Sequence, residues 1–130
     1  MILADTNALI WFLSGDATLG LTARRLIENG DPPAFSSISI WEVALSVSRG
    51  RLRLDSTPTE YYAGVLETGF REMPFTADIG ITAVAIEGLH RDPADRIIVA
   101  TALKHDATLI TADRRLLAWT GPLKRHDARL

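Results

Sequence analysis

The sequence predicts a three-layer α/β/α fold, with helices covering both faces of a parallel sheet. The short apolar run at residues 1–4, closed by a polar turn, has the pattern of a strand buried on both faces, and other short stretches, such as residues 107–111, also read as strands. Segments of helical spacing separate such runs, and strands alternating with helices at this spacing imply right-handed βαβ units. The 130 residues hold no repeat, low-complexity tract or long linker, which predicts a single domain over residues 1–130. A chain of this length buries roughly two-thirds of its unfolded surface and needs no covalent staple.

The first strand, residues 1–4, stops at Asp5-Thr6-Asn7 and feeds a helix over residues 8–13 that ends near Ser14-Gly15. A short helix follows at residues 22–29, with Thr22 as its N-cap and Gly30 just past its end. Asp31-Pro32-Pro33 is a hard turn. Residues 34–38 read as the second strand and residues 39–48 as a helix closed by Arg49-Gly50. Residues 51–54 alternate and fit either a small edge strand or a loop. Residues 57–70 read as a helix with Pro58 in its first turn. Residues 72–75 read as a strand whose Pro74 argues for a sheet edge. Helical spacing resumes over residues 76–89, breaks at residues 90–93, and continues in a mostly apolar helix over residues 94–105. Residues 107–111 form a strand, 113–119 a short helix and 123–126 a last strand, so the sheet has four or five strands.

Composition excludes several classes of function. The chain has no cysteine, which removes disulfides and thiolate metal sites and suits a reducing cytoplasm. No apolar run approaches the ~18 residues of a membrane span, and the first residues lack the basic start of a signal peptide. Fourteen basic and sixteen acidic residues leave a net charge of -2. A protein that grips nucleic acid by bulk charge is usually basic. A phosphate ligand would therefore require a local reversal of the field, which a bound cation supplies.

Four acidic residues fall at one kind of position. Asp5 follows the first strand, Glu42 lies one turn into the helix after the second, Asp95 opens the helix before the fourth, and Asp113 follows the fourth. Each has a structural account by itself. Asp5 and Asp113 fit N-caps. Ser39-x-x-Glu42 fits a capping box. Asp92-Pro93-Ala94-Asp95 fits a helix start, with Pro93 near N1 and Asp95 favoured by the helix dipole. Together they fit something more. If strands one, two and four are adjacent at mid-sheet, Asp5, Glu42 and Asp113 meet at the carboxyl edge, where ligands bind in open α/β sheets. Asp95 joins them if its helix packs over that edge. Carboxylates about 5 Å apart repel by roughly 3 kcal/mol per pair at an effective dielectric near 20. A cation or a bound proton makes such a cluster tolerable. Oxygen ligands without Cys or His suit Mg²⁺ or Mn²⁺ over Zn²⁺.

At these residues the chain resembles the PIN-domain family and, within it, the VapC-type toxins of type II toxin–antitoxin systems. The resemblance rests on ILADTNALIW, SSISIWEVALSVSRGRL, HRDPADRIIVATA and LITADRRL, in the family's order and spacing from residue 2 to about 116. It implies a parallel sheet of four or five strands between helices, with the acidic quartet at its edge. It also implies a metal-dependent endoribonuclease, commonly dimeric and held inactive by a cognate antitoxin. Carried over by position, Asp5, Glu42, Asp95 and Asp113 match the family's four acids. Asp95 is the match in its segment because it directly precedes Arg96 and the apolar run, while Asp92 is a turn residue. Asn7 and Thr111 match polar positions that support the site.

The mechanism expected from this pattern is hydrolysis of an RNA phosphodiester at one or two Mg²⁺ or Mn²⁺ ions. Asp5 and Asp95 are expected to be the main direct ligands, with Glu42 and Asp113 ligating directly or through water, or orienting the nucleophile. His90, His105 and His126 lie in polar stretches expected to be exposed, and no catalytic role is expected of them because nothing pairs them with a nucleophile. Arg96 has two readings, a phosphate contact or an ion pair with a neighbouring acid. Arg49, Arg51 and Arg53 form one basic patch, and Arg114, Arg115, Lys124, Arg125 and Arg129 another; both read as solvated surface or as a track for an RNA backbone. Trp11, Phe12, Trp41, Tyr61, Tyr62 and Phe70 read as core or interface. Three rival functions are set against this pattern. A phosphoacceptor receiver domain would need its phosphoacceptor Asp after the third strand and a Lys after the last, whereas that third strand ends at Phe75-Thr76 and Lys124 lies within the last strand. A non-catalytic PIN-like binding module would have a decayed acidic quartet, whereas this quartet is intact. An aspartyl phosphatase would want a second Asp at position 7, which is Asn.

Overall fold

The computed structural model describes residues 1–29 and 32–130. Gly30 and Asp31, expected at the end of a helix and the start of a turn, lie outside the described residues. The chain runs β1 (Ile2–Ala4), α1 (Thr6–Ser14), α2 (Leu21–Glu28), β2 (Ala34–Ser36), α3 (Ser37–Ser48), α4 (Pro58–Glu67), β3 (Arg71–Met73), α5 (Ala77–Ala85), α6 (Pro93–Lys104), β4 (Thr108–Thr111), α7 (Arg114–Ala118) and β5 (Lys124–Asp127). The strands pair in parallel in the order β3-β2-β1-β4-β5. β1 is therefore central, β2 and β4 flank it, and the Pro74 segment follows an edge strand as expected.

Side-chain alternation along these short strands builds the two outer layers. Ala4, Phe35 and Ile110 face one cluster with Leu9, Ile27, Val65 and Phe70, which seats α1, α2 and α4. Their neighbours Leu3, Ala34 and Leu109 face a second cluster with Ile98, Val99, Ala102 and Leu116, which seats α6 and α7. α5 packs on α6 through Ile79 and Ala83 against Ile97 and Ala100. Among the described residues no helix is long and apolar enough to cross a membrane.

Most departures from the sequence reading occur at helix starts. The second strand ends at Ser36, which caps α3 by accepting from the Ile38 N–H at 3.2 Å. Ser39 therefore lies inside α3, buried, and the expected Ser39–Glu42 capping box is replaced by a cap three residues earlier. A capping box does form at α4, between Thr57 and Glu60. Residues 51–54 are neither helix nor strand, and α5 is shorter than the expected helix over 76–89.

Thr22 is not the cap of α2; the cap is Gly20, without a side-chain hydrogen bond. The reason is close approach. The Gly20 N–H donates to Ala128 O at 2.8 Å, and a Cβ at Gly20 would lie 2.3–2.6 Å from main-chain atoms of Arg129 and Leu130. No larger cap residue fits beneath that segment. Gly20→Ala must displace it, and we expect a loss of about 1–3 kcal/mol, as for overpacked sites. Chemical denaturation of both proteins checks this; an unchanged midpoint would refute the tight approach.

Candidate metal centre

The carboxyl edge of the central strands collects the acids. Asp5, Glu42, Asp95 and Asp113 line one cleft of about 110 Å3, together with Thr6, Asn7, Ile10 and Ser46. Each acid reaches the cleft from a different element, so the constellation exists only in the folded chain.

Asp5 directly follows β1. Its N–H still bonds to Ile110 O of β4 at 3.0 Å, and its Oδ1 caps α1 by accepting from the Ala8 N–H at 2.9 Å. It is only 7% exposed. Burial pushes its carboxyl up to about 6, with Asp95 and Asp113 adding repulsion and bonds from Thr111 and Ala8 opposing. Glu42 sits in the second turn of α3 and accepts from the Thr6 hydroxyl, which in turn lies 2.9 Å from the Ser39 hydroxyl. Burial raises Glu42 to about 7; the Thr6 bond opposes this, and Asp95, Asp92 and Asp5 add to it.

Asp95 lies in the first turn of α6, whose cap is Asp92, with Pro93 at the helix start. The turn role expected for Asp92 holds: its Oδ1 accepts from the N–H groups of Ala94 and Asp95. Burial raises Asp95, a bond from His90 lowers it, and Asp92 and Asp113 raise it further. Asp113 caps α7, accepting from Arg115 N at 2.8 Å and Leu116 N at 3.4 Å. Burial would raise it, but the Arg115 side chain, 3.1 Å away, and these N–H groups hold it below the usual range.

Of the supporting residues, Asn7 is exposed at the cleft. Thr111 is buried, bonds Asp5, and accepts from the Asp113 N–H at 3.1 Å, so one hydroxyl ties two of the acids together. Arg96 does not spend its guanidinium on an acid. It donates to the carbonyls of Ala83 at 2.8 Å and Leu89 at 2.9 Å, and to those of Val84, Ile86 and His90. Its role is to fasten the segment between α5 and α6, which fixes where α6 delivers Asp95.

The histidines are not exposed as expected. His105 and His126 are half-buried, and the His90 side chain is 15% exposed with Nε2 2.8 Å from Asp95 Oδ2. His90 Nδ1 is buried with no partner among the described residues. A proton on Nε2 then leaves Nδ1 a bare lone pair, not an unsatisfied donor. His90, Asp95 and Asp113 each offer a ligand atom within 4.8 Å of the others. The cleft fits a divalent cation: the carboxylates of Asp95 and Asp113 converge there with those of Asp5 and Glu42 on the same walls, all hard oxygens, while His90 with its proton on Nε2 holds Asp95 in place.

Thr6, Ser39, His90 and Arg115 were not singled out as parts of the site. Thr6 and Ser39 are small hydroxyls whose partners are 36 and 33 residues away from Thr6, a relation no local pattern carries. His90 precedes Asp95 by five residues, too far for a helical pair, and only the loop held by Arg96 brings it in. Arg115 counts as surface by sequence but pairs with Asp113 and lies 3.5 Å from Asp95. Its neighbours in that basic patch are also committed: Arg125 to Leu116 O, Arg129 to Ala112 O, and Lys124 to Asp106. Lys124 starts β5 beside Thr108, at the amino edge, so it cannot serve the receiver-type site weighed above.

A family model for the PIN domain matches residues 2–120. Ribonuclease VapC22 of Mycobacterium tuberculosis is 33% identical over 122 residues, covering 93% of each protein. Among solved structures, a toxin–antitoxin complex from Klebsiella pneumoniae superposes with a TM-score of 0.68 at 23% identity, covering 98% of both chains. VapBC2 from Rickettsia felis, bound to a DNA fragment from their promoter, has a TM-score of 0.67 at 20% identity, covering 97% of this chain and 98% of the other. At these identities the two structures establish the fold.

The raised carboxyls set a pH dependence. A folded-state value above the unfolded one means the native protein binds more protons, so stability falls as pH rises. For Asp5 the window runs from 3.8 to about 6, and for Glu42 from 4.5 to about 7. Metal-free protein should therefore melt higher at pH 5.5 than at pH 8. Asp5→Asn should stabilise it at pH 8 by up to ~3 kcal/mol, the equivalent of two pH units. Thermal melts in EDTA across this range test both; a Tm that rises with pH would contradict the electrostatics.

Proposed function

The chain belongs to the PIN-domain family, and from that premise we propose that it is a divalent-metal-dependent endoribonuclease. The observation that carries the reading is the convergence of Asp5, Glu42, Asp95 and Asp113 in one cleft. The relative that names an activity is a ribonuclease, which supports RNA as the substrate. We assign Mg²⁺ or Mn²⁺ as the cofactor because the donors are mainly carboxylate oxygens. When bound, the ion lowers the pKa of a coordinated water and neutralises charge on the phosphate.

The chain's own residues divide the remaining work. Asp5, Asp95 and Asp113 hold the ion. Asp5 presents the oxygen that its cap bond leaves free. His90 orients Asp95 through its 2.8 Å contact. Glu42, steadied at Oε1 by Thr6, accepts a hydrogen bond from the attacking water and aligns it with the phosphorus. The new bond joins water oxygen to phosphorus and one phosphoester P–O bond breaks; the attacking water gives up a proton, by way of Glu42, and the leaving oxygen takes one from solvent.

The toxin role follows from the same relatives. Structures of this fold have been solved as toxin–antitoxin complexes, and we propose that this chain likewise pairs with a cognate antitoxin. We further propose that it forms a homodimer and acts in the cytoplasm, where its RNA substrate is.

Purified protein freed of any partner should cleave labelled RNA with Mg²⁺ or Mn²⁺ and stop on addition of EDTA. Asp5→Asn and Asp95→Asn should each lower the rate by at least ~100-fold, the scale of losing a preorganised electrostatic group. Undiminished cleavage in both variants would rule out this site.

A further inference from the structure

Of the aromatics read as core or interface, Trp41 is not core: it is 55% exposed. It directly precedes Glu42 in the second turn of α3, and with Leu45 and the C-cap Arg49 it lies on one stripe of the helix at spacings of four. Gly50, at φ 69°, then reverses the chain, and the Arg51 N–H bonds back to Ser46 O at 2.9 Å. That turn brings Arg51 beside Arg49. Together with Asp92 and Pro93 these side chains line a pocket of about 310 Å3, whose walls at Glu42 and Ser46 are also walls of the acidic cleft.

The pocket has an apolar aromatic face and two cations, and it adjoins a site for phosphodiester chemistry. Neither Arg49 nor Arg51 forms an ion pair among the described residues. Asp92 is also present, but its Oδ1 is occupied as the α6 cap. In a protein of net charge -2 with four acids next door, two uncompensated guanidiniums mark where a polyanion can approach.

We propose that this pocket is a single-stranded RNA subsite, in which Trp41 stacks the base flanking the scissile phosphodiester and Arg49 and Arg51 hold the adjoining phosphate. The proposal rests on the nuclease reading and specifies which RNA it takes. A base can stack on an indole only when it is free of its own stack, so single strands and loops bind and continuous duplex does not. Stacking on a flat ring tolerates every base, so this subsite selects strandedness over sequence.

Steady-state kinetics on labelled single-stranded and duplex RNA, with tryptophan fluorescence on mixing, test it. Single-stranded RNA should quench the wild-type emission, and Trp41→Phe should lose that quench while staying within about threefold of wild-type KM. Trp41→Ala should raise KM roughly five- to a hundredfold with a smaller change in kcat, the range of one lost base stack. Arg49→Ala with Arg51→Ala should flatten the salt dependence of KM. Wild type that cleaves RNA while Trp41→Ala keeps its KM overturns the subsite and leaves the nuclease intact. Equal use of duplex overturns it as well. So does a Trp41→Ala protein that changes oligomeric state with RNA affinity unaltered, since the face would then belong to a second copy. Wild type that neither binds nor cleaves RNA removes the nuclease reading and the subsite together.

Discussion

The burial of four carboxylates at one edge of the sheet is the constraint on which the rest of the structure depends. Four acids share a cleft of about 110 Å3, and each needs a reason to stay there. The chain gives each a different set of donors. Asp5 has the Ala8 N–H and Thr111, Glu42 has Thr6, Asp95 has His90, and Asp113 has Arg115 with two main-chain N–H groups. Only for Asp113 do these partners outweigh burial; the other three stay raised. Burial and the neighbouring acids therefore make full ionisation of the cleft costly, and either a proton or a bound cation relieves that cost.

The scaffold tolerates this because its rigidity lies elsewhere. Leu3 and Ala4 send adjacent side chains into opposite clusters, as do Ala34 with Phe35 and Leu109 with Ile110. β1 is pinned on both sides, by Ala34 and Phe35 of β2 and by Thr108 to Ile110 of β4. Three-residue strands are enough when both faces are covered. Arg96 gives α6 comparable fixity by tying its first turns to the carbonyls at the end of α5. The acids are thus mounted on elements that cannot back away from one another.

Much of this was legible in the sequence, and the limits are physical. β1 read correctly because a fully buried strand favours an unbroken apolar run, and β4 because Leu109 and Ile110 lie between β-branched threonines. The central position of β1 followed from requiring Asp5, Glu42 and Asp113 to meet. The quartet was found because its members recur at strand ends and helix starts. The start of α3 was misplaced because Ser36, Ser37 and Ser39 are all competent caps, and only the end of β2 chooses among them. The Gly20 cap was missed because its cause is the distant segment at Ala128 to Leu130. His90 and Arg96 were misjudged for a related reason. Their roles depend on the path of the loop between α5 and α6, and loop paths have no periodicity to read.

Position along the helices also sorts the acids by chemistry. Asp5 and Asp113 are N-caps and Asp95 is in a first turn, so all three face the positive end of a helix dipole and free N–H groups. Glu42 is one turn further in, where the N–H groups of α3 are already bonded to carbonyls. Its hydrogen-bond partner is the Thr6 hydroxyl, and burial pushes its carboxyl up to about 7. The dipole and the N–H groups favour these three as anions, although burial still outweighs them at Asp5 and Asp95, and they suit a cation. Glu42 is the least committed to its charge, so it is the group best placed to exchange a hydrogen bond or a proton with water. The same turn of α3 carries Trp41 on its outer side. One helix thus carries both a wall of the acidic cleft at Glu42 and the exposed face of the adjoining pocket at Trp41.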